Sequence, residues 1–187
     1  MTAPALAARV FERIAAAWLS RAEHLAIVAE TGYSFEEWAN WEACFACHAE
    51  PSWRVKPRPG YGELGVSGSS LLGDVLIESA DGRVLVEVGT VHDWTQSKWR
   101  QKLLADTEKA RNLEGTEVVV LQVILRLRSR RFSDDRPRWL ASVPCWSSCG
   151  LEPRRAPLSD GGVAEVRASI WIPLHARPAD AGRSVPA

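Results

Sequence analysis

One methionine, at position 1, is all the chain carries. No internal thioether is therefore present to ligate a haem iron, although Cys44-Phe-Ala-Cys47-His48 has the spacing of a haem-attachment site. The chain also lacks net charge, with 23 Lys plus Arg against 23 Asp plus Glu. No global field draws it to a polyanion, so any such attraction has to come from local clustering. No apolar run approaches the roughly twenty residues that cross a bilayer. The opening segment, MTAPALAARVFERIAAAWLSR, intersperses acids and arginines and has no apolar h-region. The expectation is a cytoplasmic protein without a secretory signal. In that compartment four cysteines are expected to be free or metal-bound rather than disulfide-linked. There is no internal repeat and no sign of a second domain. At 187 residues the chain is long enough for one substantial core.

What is present reads as alternating helices and strands. Thr2 and Pro4 mark a helix start, and Leu6, Val10, Ile14, Ala17 and Trp18 recur at helical spacing. That helix is expected to run to about Ala29 and break near Thr31-Gly32. Ser34 followed by Glu37 fits a capping box. The helix it opens carries Phe35, Trp38, Trp41 and Phe45 along one side, with Glu42 on or beside that stripe. A short basic strand at Trp53–Lys56 leads into a Gly- and Pro-rich loop over 57–68. A hairpin follows, with strands at about 72–79 and 83–91 around an Asp81-Gly82 turn. The next helix spans 95–113, with Trp99, Leu103, Ala110 and Leu113 on one side and Lys98, Lys102 and Lys109 on a more polar face. Glu117–Leu125 is a near-continuous apolar run, as expected of a strand covered on both faces, and it should lie parallel to 83–91. Ala164–Leu174 alternates like a further strand. Residues 1–175 are read as one domain with N-terminal helices, and 176–187 as a disordered tail.

The hairpin holds the most informative residues. Side chains alternate along a strand, so Val84, Val86 and Val88 share one face and Leu85, Glu87 and Gly89 the other. Glu87 interrupts an apolar face, and Asp74 stands at the start of the partner arm. A buried carboxylate costs several kcal/mol unless a cation or hydrogen bonds compensate it. Two such carboxylates on neighbouring strands repel each other, and a hard divalent ion between them reverses that.

The order helix, hairpin, helix, strand, with Gly-Asp74-Val ahead of Val-Glu87-Val-Gly89, resembles the PD-(D/E)XK nuclease superfamily over about residues 34–126. The resemblance implies the restriction-endonuclease-like fold, an α/β architecture with a mixed central sheet flanked by helices. It implies hydrolysis of phosphodiester bonds in nucleic acid, most readily DNA, with Mg²⁺ or Mn²⁺. Carried over by position, Asp74 and Glu87 are the metal ligands and Glu42 is the candidate acid from the preceding helix. Many nucleases of this kind act as homodimers in restriction, defence, repair or mobile-element cleavage. Two departures stand out. Gly89 occupies the position of the family's catalytic lysine, and Gly73 that of its proline. Lys98 and Lys102, one turn apart on the following helix, are the replacements in reach, with Gln96 nearby.

Other readings remain open at this level. Cys44 and Cys47, with His48 on the same helix face, could close a zinc site with Cys145 and Cys149. Arg126, Arg128, Arg130, Arg131, Arg136 and Arg138, with Arg54, Lys56 and Arg58, could track a phosphate backbone, and Trp139 and Trp146 could stack on bases. His92-Asp93 follows the second hairpin strand, but no serine partner suggests a triad. The absent motif lysine also admits a catalytically silent domain that binds nucleic acid or a protein partner, and the cysteines admit a zinc-stabilised structural protein.

Overall fold

Aliphatic and β-branched residues fill two eleven-residue strands, β3 (Gly82–His92) and β4 (Val118–Arg128), and these form the centre of the molecule. In the computed structural model, residues 2–31, 35–92, 96–128 and 151–171 are described, excluding the side chains of 96–98 and 171. β3 and β4 run parallel, with Arg83 opposite Val118 and His92 opposite Leu127. Antiparallel strands extend the sheet on both sides: β2 (Val75–Ser79) and β1 (Arg54–Pro57) beyond β3, β6 (Val163–Trp171) and β5 (Arg154–Pro157) beyond β4. The sheet is therefore mixed and six-stranded, in the order β1-β2-β3-β4-β6-β5. Both margins are four-residue strands bearing basic residues and ending in proline.

Helices cover the two faces. Val84, Val86 and Val88 of β3, with Val119, Leu121, Val123, Leu125 and Leu127 of β4, belong to the core beneath α1 (Ala3–Leu19), α2 (Ala22–Thr31) and α3 (Glu36–His48). The α1 side chains Leu6, Val10, Phe11, Ile14 and Trp18 are fully buried there, each worth about 1.5–3 kcal/mol of apolar transfer. The opposite face carries α4 (Gln96–Arg111), with Leu103 packed among Val91, Trp99 and Ile124. β3 thus lies between two helical layers, and whatever side chains it turns toward α4 are dry.

Three local expectations are corrected. The single N-terminal helix is two, because the chain turns at Ser20-Arg21, where the Ser20 hydroxyl donates to the Ala17 carbonyl at 2.7 Å. The hairpin loop is Ala80-Asp81 rather than Asp81-Gly82, since Ser79 already pairs with Gly82. Gly82 opens β3 at φ 134°, and a Cβ there would meet Ala3 Cβ at 2.9 Å. Finally, α3 begins at Glu36 with Phe35 in the N-cap position and no side-chain cap bond, so the expected Ser34 start is displaced by one residue.

The expected aromatic stripe of α3 is split, with Phe35 buried and Trp38 packed against the core. The buried residues within the helix are Ala39, Ala43, Cys44 and Cys47, while Trp41 and Phe45 remain 45% and 60% exposed. Small residues let α3 approach α1 closely enough for Trp18 Nε1 to donate to the Ala39 carbonyl at 3.1 Å. Trp41 and Phe45 are left outside, ring against ring at 5.8 Å.

Candidate active site

The site is built where the β2–β3 hairpin meets α4. β2 is entered through Gly73 and Asp74, held against the end of β1 by two backbone bonds: Gly73 N–H to Pro59 carbonyl and Arg58 N–H to Asp74 carbonyl, both 2.9 Å. The ladder pairs Val75 with Val86, so Asp74 comes opposite Glu87 on the face turned to α4. One Asp74 carboxylate oxygen accepts the Val88 N–H at 2.7 Å, and Asn40 Nδ2 lies 3.5 Å from the other. Burial raises the Asp74 pKa, against the lowering effects of the Val88 bond and of Lys102 and Lys109.

Glu87 is 1% exposed. Its carboxylate accepts the Tyr61 hydroxyl at 2.9 Å and Lys109 Nζ at 2.7 Å. Tyr61 comes from a short 3₁₀ turn, Tyr61–Leu64, and is itself fully buried, so the 57–74 loop closes the far side of the pocket. Burial, then the nearby Asp74, pushes the Glu87 pKa up to about 8, with Lys109 working in the opposite direction.

Two lysines enter from α4. Lys102 Nζ reaches Asp106 at 2.6 Å, the Val88 carbonyl at 3.2 Å and Glu36 at 3.3 Å. Lys109 Nζ, besides Glu87, touches Asp106 at 3.5 Å and the Leu72 carbonyl at 3.2 Å. Spacing of four and then three residues puts Lys102, Asp106 and Lys109 on one stripe of the helix. The cluster therefore has four carboxylates, Glu36, Asp74, Glu87 and Asp106, and two ammonium groups. That surplus of negative charge in a buried place raises Glu36 as well, through its own desolvation and the proximity of Asp74 and Asp106, with Lys102 opposing.

Sequence-predicted residues separate clearly. Asp74, Glu87 and Lys102 come together. Glu42 lies elsewhere, 3.8 Å from Arg21, and the acid that α3 does bring to the cluster is Glu36, six residues earlier. The Lys98 and Gln96 side chains lie outside the described residues, as do Asp93, Arg130, Arg131, Arg136, Arg138, Trp139, Cys145 and Trp146, Cys149 and the 176–187 tail. Cys44 and Cys47 are buried free thiols, and burial pushes Cys47 up to about 12, whereas His48 is exposed rather than on their face. Arg54 and Lys56 pair with Glu78 and Glu63, and Arg126 is buried in the sheet, so of the described basic residues in the expected track Arg58 is the one left exposed without an ion pair among the described residues. His92 is buried between Phe35 and Trp99. Among the described residues no group of three or more His, Cys, Asp or Glu could hold a metal ion.

Both motif departures fall where a leucine side chain comes close. A Cβ on Gly89 would stand 2.5 Å from Leu103 Cδ2, and one on Gly73 would stand 2.5 Å from Leu85 Cδ1. The neighbour is α4 at Gly89 and β3 at Gly73, and a side chain at either position would require a leucine methyl to move. Glu36, Asn40, Tyr61, Asp106 and Lys109 were not singled out from sequence. The Lys102, Asp106, Lys109 spacing is the available signal, of which Lys102 alone is a candidate from sequence and Lys109 is placed only on a more polar face.

Beside the cluster opens a cleft of about 440 Å³, lined by Glu36, Asn40, Trp41, Arg58, Leu72 and Asp74 among others. Arg58 holds a left-handed backbone, φ 50°, rare for a residue other than glycine. Comparison with known protein families, with curated proteins and with solved structures finds no match.

Proposed function

We propose that this chain is a metal-dependent nuclease of the PD-(D/E)XK type, hydrolysing phosphodiester bonds of nucleic acid, with DNA as the first substrate to test. The observation that carries it is the opposition of Asp74 and Glu87 across β2 and β3, with the Lys102 ammonium resting on the carbonyl of the intervening Val88. The order α3-β1-β2-β3-α4-β4, with β3 and β4 parallel, supports a restriction-endonuclease-like core.

Asp74 lines the cleft and Glu87 stands behind it, its oxygens on Tyr61 and Lys109, so the pair offers at most two carboxylates to Mg²⁺ or Mn²⁺. The donors are all oxygens, as a hard cation requires, and Mg²⁺ is commonly held by one or two carboxylates while keeping several waters. The Asn40 Oδ1 atom is buried in the cleft wall with no hydrogen-bond donor, and water on an ion at Asp74 would supply one. Asp74 and Glu87 would hold the ion, with Glu36 nearby. When bound, it would lower the pKa of a water and neutralise charge at the scissile phosphate.

The chain's own residues do the rest. Lys102, kept protonated by Asp106 and Glu36, is the donor that steadies the attacking water and the developing charge on phosphorus. Lys109 and Tyr61 fix the Glu87 carboxylate in one orientation. Asp106 spaces the two ammonium groups. The test is incubation with plasmid, single-stranded DNA and RNA in Mg²⁺ or Mn²⁺, beside Asp74→Ala: equal behaviour of the two proteins ends the proposal.

A second reading is a silent domain that binds nucleic acid or a protein partner. It is favoured by the saturation of Lys102, whose three donors already have three acceptors. Binding without turnover by wild-type protein, unaffected by Lys102→Ala, would select it.

A further inference from the structure

The cleft has a feature that phosphodiester chemistry does not require. Trp41 lines it and is 45% exposed, with Phe45, 60% exposed, stacked behind at 5.8 Å and 26° between ring planes. Leu72, also 45% exposed, lines the same cleft. Scattered exposed hydrophobes are ordinary, but a paired aromatic surface at the rim of a polar cleft marks a ligand contact. α3 buries Ala39, Ala43 and Cys47 instead of these rings, and Cys44, one turn from Trp41, lines the cleft beneath it.

The polar lining selects the ligand. Arg58, exposed and without an ion-pair partner among the described residues, stands in the same cleft as Asp74, whose carbonyl its own N–H holds in a left-handed turn. Backbone in such sparsely populated regions concentrates at functional sites. An aromatic platform, a guanidinium and a carboxylate cluster side by side match the three parts of a nucleotide in a metal-dependent site: base, phosphate and reacting phosphodiester. The volume, about 440 Å³, is that of a small-molecule pocket rather than a groove for a double helix.

We propose that this cleft takes one unpaired nucleotide, its base stacked on Trp41 and its phosphate on Arg58, so that the substrate is single-stranded nucleic acid or a frayed end. This deepens the nuclease reading and rests on it. Trp41 is a binding residue here, and Phe45 backs it. Because Glu36, Glu37 and Asp74 also line the cleft, binding of the phosphate depends on a divalent ion to offset them.

The experiment measures anisotropy of a short fluorescein-labelled oligothymidylate and of a hairpin duplex of equal length, in Ca²⁺, with cleavage of both followed in Mn²⁺. The single strand is expected to bind more tightly than the duplex. Trp41→Ala should weaken it on the order of tenfold or more with an unchanged melting temperature, and Trp41→Phe should restore most of the affinity. Equal affinity for strand and duplex, no binding to either, or a Trp41→Ala effect under about twofold overturns the proposal. Trp41-dependent binding without cleavage ends the nuclease reading and leaves the stacking site. Cleavage indifferent to Trp41→Ala does the reverse.

Discussion

Leu103 stands where a side chain at residue 89 would begin, 2.5 Å from the Cβ that Gly89 lacks. α4 is seated on β3 at that point, so a lysine on the strand would require the Leu103 methyl to shift. Gly89→Lys is therefore expected to add no cleavage and to destabilise the fold by about 1–3 kcal/mol, as overpacking does. Chemical denaturation measures the loss. Adding Leu103→Ala should recover part of it.

The two α4 lysines are expected to fail in different ways. Lys109 is the cation on a fully buried carboxyl, and Lys109→Met leaves Glu87 to keep its proton and lose a hydrogen-bond partner, at about 1–3 kcal/mol. Lys102 is 28% exposed at its side chain and its acids Asp106 and Glu36 are 11% and 21% exposed, against 1% for Glu87, so Lys102→Met should cost less stability than Lys109→Met. Its cleavage rate should fall on the order of 10²-fold or more. Equal losses of stability in the two variants would remove this division of labour.

Glu36 and Glu42 offer a direct comparison on one helix. Glu36→Gln removes a carboxylate 3.3 Å from Lys102, and Glu42→Gln removes a partner of Arg21. Single-turnover rates in Mn²⁺ should drop for the first and hold for the second. The opposite result would restore the assignment made from helix position alone.

Stability should depend on pH with a definite sign. Glu87 is raised from 4.5 to about 8, and Asp74 and Glu36 are raised as well. A raised carboxylate binds more protons folded than unfolded, so the stability it contributes is full below about pH 4.5 and is lost as pH rises through about 8. Lys102 and Lys109, both raised, stay charged throughout that window. In chelator the melting temperature should fall between about pH 5 and pH 9. With Mg²⁺ the fall should shrink or reverse, since the ion takes the ionised carboxylates. A melting temperature that rises with pH in chelator would contradict the buried acid surplus.

The sequence was most readable where one physical demand dominated. The parallel pairing of β3 with β4 followed from two continuous apolar runs joined by a helix. The Glu87 anomaly followed from alternation, since a charged residue amid aliphatics on an inward face needs an explanation. Reading failed where packing between elements decided the outcome. Trp41 and Phe45 have helical spacing with Trp38, yet the tight approach of α1 favours alanine and cysteine on the inner side and turns those two rings outward. Nothing local reveals that Glu36 and Lys109 each meet a partner from another element. Tyr61 sits in a glycine-rich loop, and only the folded loop brings its hydroxyl to Glu87.

The two margins of the sheet have a consequence for how copies of this chain could meet. A foreign strand adding to β1 or β5 would find only four residues to pair with, two of them carrying positive charge and one of them a proline without a donor. Among the described residues, growth by strand addition is thereby disfavoured at both ends. Two copies that left these margins unpaired would meet through helix or loop surfaces, and the arrangement of their clefts would follow from those surfaces rather than from a shared sheet.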